Sequence, residues 1–151
     1  MENKKAPSFI LYDQDNRQHN LTDYLGKWIL LYFYPKDDTP GCTIEACSFR
    51  DSYLLLKKMN IIVLGVSADL STMHKKFSKK YKLPFPLLAD VKREVIQLYG
   101  SGGIKNIFGK KVQFIKRESF LINPLGNIVK HYKKVNPKTH VSEVINDVNK
   151  N

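Results

Sequence analysis

Two short runs of apolar, β-favouring residues constrain the fold of this chain more than any other feature. Residues 28–34 read WILLYFY, and residues 61–67 read IIVLGVS. Neither run alternates between apolar and polar side chains, so each strand must be covered on both faces. The sequence therefore predicts an α/β protein whose central strands are buried beneath helices on both sides.

The segments around these runs alternate between helical and extended patterns. A helix is predicted from about Pro40 to Met59, between the two strands, and Ser71 is predicted to cap a helix that runs to Tyr81. The other elements predicted before residue 100 and at the end of the chain are a strand over residues 8–12, a helical turn over 20–26 capped by Asn20, an extended segment reaching Leu87 and Leu88, and helices over 91–99 and 139–148.

The second half of the chain has a different pattern. Residues 118–132 predict a β-hairpin that turns at residues 123–126, whereas residues 100–117 are interpreted as a glycine- and lysine-rich connection with a weak strand near 112–115. Helical crossovers join parallel strands and hairpins join antiparallel ones, so we expect a mixed β-sheet flanked by helices. This order is that of a thioredoxin-like fold, and 151 residues suit a single domain over residues 1–151.

The only two cysteines, Cys42 and Cys47, follow the first central strand. Thr39 is a favourable helix N-cap and Pro40 a favourable first helical residue, so Cys42 is predicted to lie in the first turn. Unpaired backbone N–H groups and the helix dipole favour a thiolate there, and the thiolate is the reactive form. A second thiol nearby can receive an oxidised product, so the segment indicates thiol redox chemistry.

Charged residues affect this prediction in both directions. Asp37 and Asp38 lie close to Cys42 in the sequence, and their negative charge disfavours a thiolate. A cation from elsewhere in the fold would reverse that effect. Arg117, at the start of the predicted hairpin strand, is the candidate.

The spacing of the cysteines sets a condition on any disulfide between them. Five residues of ideal helix place the Cα atoms of Cys42 and Cys47 about 8–9 Å apart on different faces. A disulfide requires Cα atoms within about 7 Å. If the two thiols bond, the first turns of the helix must therefore unwind during the reaction.

Other roles for these residues remain open at this point. A buried cysteine is often a small core residue, which is the simplest alternative for Cys47. A thioredoxin-type redox pair would have two intervening residues rather than four. A zinc site needs about four ligands, and a Cys–His hydrolase would need a histidine brought near by the fold. The histidines are scattered without ligand spacing and are each interpreted as surface residues: His19, His74, His131 and His140.

At these residues the chain resembles the peroxiredoxins. The pattern Pro35-x-x-x-Thr39-x-x-Cys42 matches their active-site signature, and Cys47 in its sequence context resembles the PrxQ branch, also called bacterioferritin comigratory protein. The resemblance covers nearly the whole chain, because further matching stretches follow in the expected order: residues 64–67, 85–90, 99–100, Lys105 with Gly109, and 117–122.

The resemblance implies a mechanism and a role for each matching residue. Cys42 would be the peroxidatic nucleophile that attacks hydrogen peroxide or an organic hydroperoxide. Thr39 would hydrogen-bond the peroxide, Pro35 would shield the thiolate and shape the pocket, and Arg117 would stabilise the thiolate and the departing oxygen. Cys47 would resolve the Cys42 sulfenic acid as an intrachain disulfide. No metal or organic cofactor is required.

The same resemblance implies partners. A thioredoxin or a similar thiol reductant would restore both thiols, and the protein would serve antioxidant defence. Because the resolving thiol lies in the same chain, no second subunit has to supply it, so we expect a monomer.

Composition bears on location and on binding. The net charge is +11, but no nucleic-acid motif accompanies it, so we interpret the excess as a lysine-rich surface rather than a nucleic-acid interface. The apolar runs are too short to span a bilayer, so no membrane partner is expected. Residues 1–7 lack an apolar signal core, and two cysteines are too few for a secreted disulfide scaffold, so the expected location is cytoplasmic.

Two competing hypotheses can be stated from the sequence. One is a thiol–disulfide exchanger that acts on proteins, although the four-residue spacing argues against it. The other is a basic binding module on a redox-inert fold. Its binding would weaken with salt and would survive loss of Cys42.

Overall fold

The computed structural model describes all residues, 1–151, and is built around one eight-stranded sheet. The strands lie in the order β1, β10, β9, β4, β5, β6, β2, β3. Their bounds, with those of a separate hairpin formed by β7 and β8, are β1 (Lys4–Lys5), β2 (Ile10–Tyr12), β3 (Gln18–Asn20), β4 (Trp28–Phe33), β5 (Ile61–Ser67), β6 (Leu87–Ala89), β7 (Gly102–Ile107), β8 (Lys110–Ile115), β9 (Glu118–Ile122) and β10 (Asn127–Tyr132).

The two apolar runs form the centre of this sheet, as predicted. Strand β4 pairs in parallel with β5, from Trp28 opposite Ile61 to Phe33 opposite Val66. Strand β5 pairs in parallel with β6, whereas β9 pairs antiparallel with β4 and with β10. The sheet is therefore mixed, and the predicted hairpin over residues 118–132 is confirmed.

Five α-helices cover the sheet: α1 (Pro40–Asp51), α2 (Tyr53–Lys58), α3 (Ser71–Tyr81), α4 (Glu94–Leu98) and α5 (His140–Asn149). A 3-10 turn over Leu21–Tyr24 has the predicted Asn20 cap, whose side chain and that of Asp23 form a capping box. Strands in parallel and antiparallel pairs with helices on both faces give the thioredoxin-like fold expected from the sequence.

Side chains of β4 alternate between two hydrophobic cores. Leu30 and Tyr32 enter the core that contains Cys42 and residues of α1, α2, α3 and α5. Leu31 and Phe33 enter the other core, which includes Ile96 and other residues of α4. A strand with a core on each face needs apolar residues at every position, which explains the unbroken run in the sequence.

The helix predicted over residues 40–59 is two helices. Helix α1 ends at Asp51 and α2 begins at Tyr53, with Ser52 between them at φ −101° and ψ 7°. The polar pair Asp51 and Ser52 interrupts the apolar stripe at this point, and the regular helix is broken there. The helix that carries both cysteines is therefore only 12 residues long.

Two further predictions need correction, and two short strands were missed. Residues 102–115 form a regular antiparallel hairpin rather than an irregular connection, and its two-residue turn has positive φ at Phe108 and Gly109. Ser71 is the first residue of α3 and does not cap it, because Leu70 occupies the cap position. The short strands β1 and β3 were not predicted, because at two and three residues they are too short to show a period.

None of the helices is both long and apolar enough to cross a lipid bilayer.

The contact between Gly65 and Tyr32 generates a prediction about stability. A Cβ atom at Gly65 would lie 2.8 Å from Tyr32 Cζ, and both residues are in paired central strands. We expect Gly65→Ala to lower the free energy of unfolding by about 1–3 kcal/mol through overpacking, measured by urea titration. Gly102→Ala is the matched control, because its Cβ would lie 3.4 Å from Ile96, an ordinary contact. Equal stability of the two variants would contradict this packing argument.

Candidate active site

Helix α1 places Cys42 at its N-terminal end. Thr39 occupies the N-cap position, Pro40 is the first helical residue, and Cys42 lies in the first turn, as predicted. The Thr39 side chain does not cap the helix; its hydroxyl donates instead to the carbonyl oxygen of Lys36 at 2.8 Å. Cys42 is 1% exposed, so its sulfur lies inside the protein surface, where the first-turn N–H groups and the helix dipole favour negative charge.

Arg117 contacts Cys42 directly. It lies between β8 and β9, and its Nη2 donates to Cys42 Sγ at 3.2 Å while Nη1 donates to Glu45 Oε1 at 2.9 Å. Gly41 makes room for this guanidinium, because a Cβ atom there would lie 2.9 Å from Arg117 Nη2. Burial lowers the pKa of Arg117, but the hydrogen bond and charge of Cys42 and the charge of Glu45 outweigh burial, so the pKa stays above its ordinary value.

Glu45 is a functional candidate that the sequence reasoning missed. It lies three residues after Cys42 in α1, is fully buried, and forms an ion pair with Arg117. Burial raises the pKa of Glu45 to about 7, although the nearby Arg117 charge acts in the opposite direction. Its second oxygen, Oε2, has no hydrogen-bond partner, which also favours a protonated carboxyl. The i, i+3 spacing from Cys42 was the signal available in the sequence.

The two aspartates that precede Cys42 are both paired away from it. Asp37 accepts hydrogen bonds from buried groups, and its carboxylate lies 2.6 Å from His74 Nδ1. Asp38 accepts from Lys80 Nζ at 2.8 Å and from the Tyr81 hydroxyl at 2.9 Å, and these bonds lower the pKa of Asp38. Each carboxylate thus has a compensating donor, which weakens the opposition to a Cys42 thiolate that the sequence predicted.

The interpretation of every histidine as a surface residue was wrong. His74 and His140 are buried, with exposures of 0% and 1%. His140 contacts the Ser119 hydroxyl at 2.9 Å, and His74 lies in α3 beneath the loop before α1. Isolated histidines carry no periodic signal, so their burial is decided by tertiary contacts that the sequence does not display.

The second cysteine lies on the same helix as the first. Cys42 and Cys47 are both free thiols, and Cys47 is half-buried. Helix α1 is wound through both positions, which is the geometry that prevents a disulfide. Pro35 is exposed at the start of the loop after β4, and neither Pro35 nor Thr39 makes a hydrogen bond to Cys42.

Comparison with known proteins identifies the family of this chain and agrees with its fold. The sequence profile of the AhpC/TSA family matches residues 3–131. A putative peroxiredoxin Bcp of Coxiella burnetii is 47% identical over 94% of both chains, and peroxiredoxin Bcp of Bacillus subtilis is 42% identical over 94% of this chain and 90% of its own. The chain belongs to the peroxiredoxin family.

Solved structures place this peroxiredoxin in the PrxQ branch. The bacterioferritin comigratory protein of Xanthomonas campestris matches with a TM-score of 0.89 and 33% identity over 94% of this chain and 90% of its own. A cysteine-to-serine variant of PrxQ from Xylella fastidiosa matches with a TM-score of 0.90 and 30% identity over 99% and 97%. The peroxiredoxin is therefore an antioxidant oxidoreductase, a thiol peroxidase with a thioredoxin-like fold, as the resemblance implied.

The buried Glu45 generates a prediction about the pH dependence of stability. Its pKa is about 7 in the folded protein against a model-compound value of 4.5. The folded state therefore binds more protons than the unfolded state between these values. The contribution of Glu45 to the free energy of unfolding is fully present below pH 4.5. It is lost as the pH rises through 7, and the loss is about 3 kcal/mol in total.

Urea unfolding of wild type and Glu45→Gln from pH 4.5 to pH 8 measures this effect. The amide keeps an acceptor for Arg117 but cannot ionise, so the stability difference between the two proteins should change with pH in the stated direction. Glu94→Gln, which removes an exposed carboxylate from α4, is the matched control. A wild-type-minus-variant difference that stays constant with pH would contradict the prediction.

Proposed function

We propose that Cys42 is the peroxidatic residue of this peroxiredoxin. The observation that carries the proposal is the 3.2 Å contact between Arg117 Nη2 and Cys42 Sγ at the N-terminus of α1. A guanidinium and a helix N-terminus both stabilise negative charge on sulfur, and the thiolate is the nucleophile. Cys47, one and a half turns later, has no such contact with Arg117.

The first step is a displacement at oxygen. The Cys42 thiolate attacks one peroxide oxygen, an S–O bond forms, and the O–O bond breaks. The products are a sulfenic acid at Cys42 and an alkoxide or hydroxide, which takes up a proton to leave as alcohol or water. Displacement requires an in-line approach and donors aimed at the departing oxygen, and Arg117 is the donor in reach.

Thr39 and Pro35 supply the rest of the pocket in this proposal. The Thr39 hydroxyl donates its proton to the Lys36 carbonyl, so its lone pairs remain free to accept a hydrogen bond from the peroxide O–H. Pro35, in the same loop, is the proposed shield of the Cys42 thiolate. Because Cys42 is 1% exposed, the wound helix admits only small or slender hydroperoxides to the sulfur.

Cys47 is the resolving residue in the second step. Its thiolate attacks the Cys42 sulfenic sulfur, an S–S bond forms, and hydroxide leaves and is protonated to water. The wound α1 holds the two sulfurs on different faces, so its first turns must unwind before this attack. A thioredoxin or a similar dithiol reductant then restores both thiols by disulfide exchange.

The substrates and setting follow from the same chemistry. Hydrogen peroxide and organic hydroperoxides are the proposed oxidants, and the related Xanthomonas campestris protein is described by its alkyl peroxide reduction activity. Because both cysteines lie in one chain, the monomer is the proposed working unit. The cytoplasm is the proposed location, where thiol reductants regenerate the enzyme.

Intact-mass analysis tests the two cysteine roles together. One equivalent of hydrogen peroxide should remove two hydrogens from the wild type, because a disulfide forms. Cys47→Ser should gain one oxygen in a single oxidation and then over-oxidise, and Cys42→Ser should show no rapid mass change. Rapid peroxide consumption by Cys42→Ser would refute the assignment, and thioredoxin-driven cycling by Cys47→Ser at the wild-type rate would mean that another thiol resolves Cys42.

The role of Arg117 has its own test. Arg117→Ala should slow the oxidation of Cys42 by about 100-fold or more, since removing one transition-state donor has an effect of this size. Lys116→Ala is the matched control, because Lys116 is the adjacent basic residue and is exposed. Stopped-flow oxidation rates compare the two, and an unchanged rate in Arg117→Ala would remove Arg117 from the site.

A further inference from the structure

The loop that carries Pro35 and Thr39 is fixed to the core by two buried side chains, Tyr34 and Asp37. We call residues 34–39, between β4 and α1, the active-site loop. Most of its residues are exposed or half-buried, but Tyr34 is 1% exposed and Asp37 is 4% exposed. The Asp37 side chain makes the shorter contact with α3. Its carboxylate accepts a hydrogen bond from the Tyr34 hydroxyl at 2.6 Å and lies 2.6 Å from Nδ1 of the fully buried His74.

The proton positions in this cluster follow from its acceptors. His74 Nε2 lies 3.1 Å from the carbonyl oxygen of Leu88, which can only accept, so Nε2 carries a proton. Tyr34 donates to one oxygen of Asp37, and burial together with the Asp37 charge raises the pKa of Tyr34, which keeps the hydroxyl protonated. The other Asp37 oxygen shares one proton with His74 Nδ1. Each polar atom of the Tyr34–Asp37–His74 cluster is therefore satisfied.

The cluster joins the active-site loop to two other elements. His74 belongs to α3, and its Leu88 partner belongs to β6. The backbone N–H of Asp37 also donates to Asp69 Oδ2 at 2.9 Å, and Asp69 accepts from the Ser67 hydroxyl at the end of β5. Both the backbone and the side chain of Asp37 are thus held by the parallel centre of the sheet and the helix that covers it.

A metal ion is a poor explanation for the same residues. Ligand atoms of Asp37, Asp69 and His74 lie within 4.8 Å of one another. However, each of these side chains already has a protein hydrogen-bond partner at 2.6–2.9 Å. An ion would have to displace the proton between Asp37 and His74, which makes the hydrogen-bonded cluster the simpler arrangement.

We propose that Asp37 and His74 are positioning residues for the peroxidase reaction. Their hydrogen bond fixes the active-site loop, and the loop in turn carries Pro35 and Thr39 to the N-terminus of α1, where Cys42 lies. Neither residue hydrogen-bonds Cys42, so they act through the loop. Loss of the pair would displace the loop residues that bind the peroxide, and a displacement of about 1 Å lowers a reaction rate by up to about 100-fold. The expected effect is therefore on the rate of peroxide cleavage and not on the ionisation of the Cys42 thiol. This proposal rests on the assignment of Cys42 as the peroxidatic residue.

The test isolates the first oxidation in a Cys47→Ser background, by rapid-quench mass analysis with hydrogen peroxide. Asp37→Ala and His74→Leu should slow oxidation by about 10- to 100-fold. Their alkylation by iodoacetamide should change by less than about threefold, because alkylation needs the thiolate but not the loop. A loss of thiolate would lower both rates together and would overturn the proposal.

A conservative variant separates geometry from charge. In Asp37→Asn the new amide can donate to His74 Nδ1 and still accept from Tyr34, so every hydrogen bond survives without the carboxylate. Its oxidation rate should stay within about threefold of the parent rate. Tyr34→Phe removes only the hydroxyl, which donates to Asp37 at 2.6 Å and lies 3.3 Å from His74 Nδ1. It should fold and should slow oxidation by a smaller factor, so it tests the cluster even if Asp37→Ala or His74→Leu fails to fold. An Asp37→Asn variant as slow as Asp37→Ala, or Tyr34→Phe at the parent rate, would overturn the proposal.

A second Asp–His–Tyr cluster supplies the matched control. His19 lies 2.7 Å from Asp13 and contacts the Tyr24 hydroxyl, and it belongs to β3, an edge strand of the sheet, whereas the active-site loop follows the central strand β4. His19→Leu should leave oxidation unchanged, whereas equal slowing would mean that any lost buried pair suffices and would refute positioning. The same experiment separates the two proposals. If the parent protein gains no oxygen at Cys42, the proposed function fails. If the parent gains oxygen and the folded His74→Leu variant oxidises at the same rate, only the positioning proposal fails.

Discussion

The contact between Arg117 and Cys42 is the interaction on which the rest of the site depends. It joins the N-terminus of α1 to the start of β9, elements separated by 75 positions in the chain. The central strands make this contact possible, because β4 delivers the chain to α1 and also pairs with β9. Gly41 leaves space at the same point, since a Cβ atom there would lie 2.9 Å from Arg117 Nη2. The same hydrogen bond thus links the central sheet to the proposed peroxidatic cysteine.

Helix α1 has two opposing requirements in the proposed cycle. It must be wound to present Cys42 to the helix N-terminus and to Arg117, and it must open to bring Cys47 to Cys42. Its short length and its separation from α2 at Ser52 are consistent with a segment that can open without disturbing the sheet. The buried Glu45 adds to this balance, because an ionised carboxylate inside the core holds Arg117 but disfavours the wound state above neutral pH.

Sequence reasoning was strongest where one local pattern determined the structure. The unbroken runs at β4 and β5, the hairpin of β9 and β10, and the start of α1 after Thr39 were all predicted within a residue or two. Sequence reasoning was weaker for secondary-structure elements made mostly of exposed residues. The β7–β8 hairpin lies outside the main sheet, and its strands are largely exposed, so apolar residues are not required at regular positions. The break at Ser52 was visible only as an interruption of the stripe.

The candidate site shows the same difference between local sequence patterns and tertiary contacts. The motif residues and Arg117 are recognisable from sequence, because they lie in a contiguous signature or match a known pattern. The partners of Asp37 and Asp38 are not, because they come from α3, more than 30 positions further on. Those partners change the predicted effect of the two aspartates on the Cys42 thiolate, because Asp37 is paired with His74 and Asp38 with Lys80. The positive charge of Arg117 then remains shared between Cys42 and Glu45 alone, and protonation of Glu45 below about pH 7 leaves that charge to the sulfur.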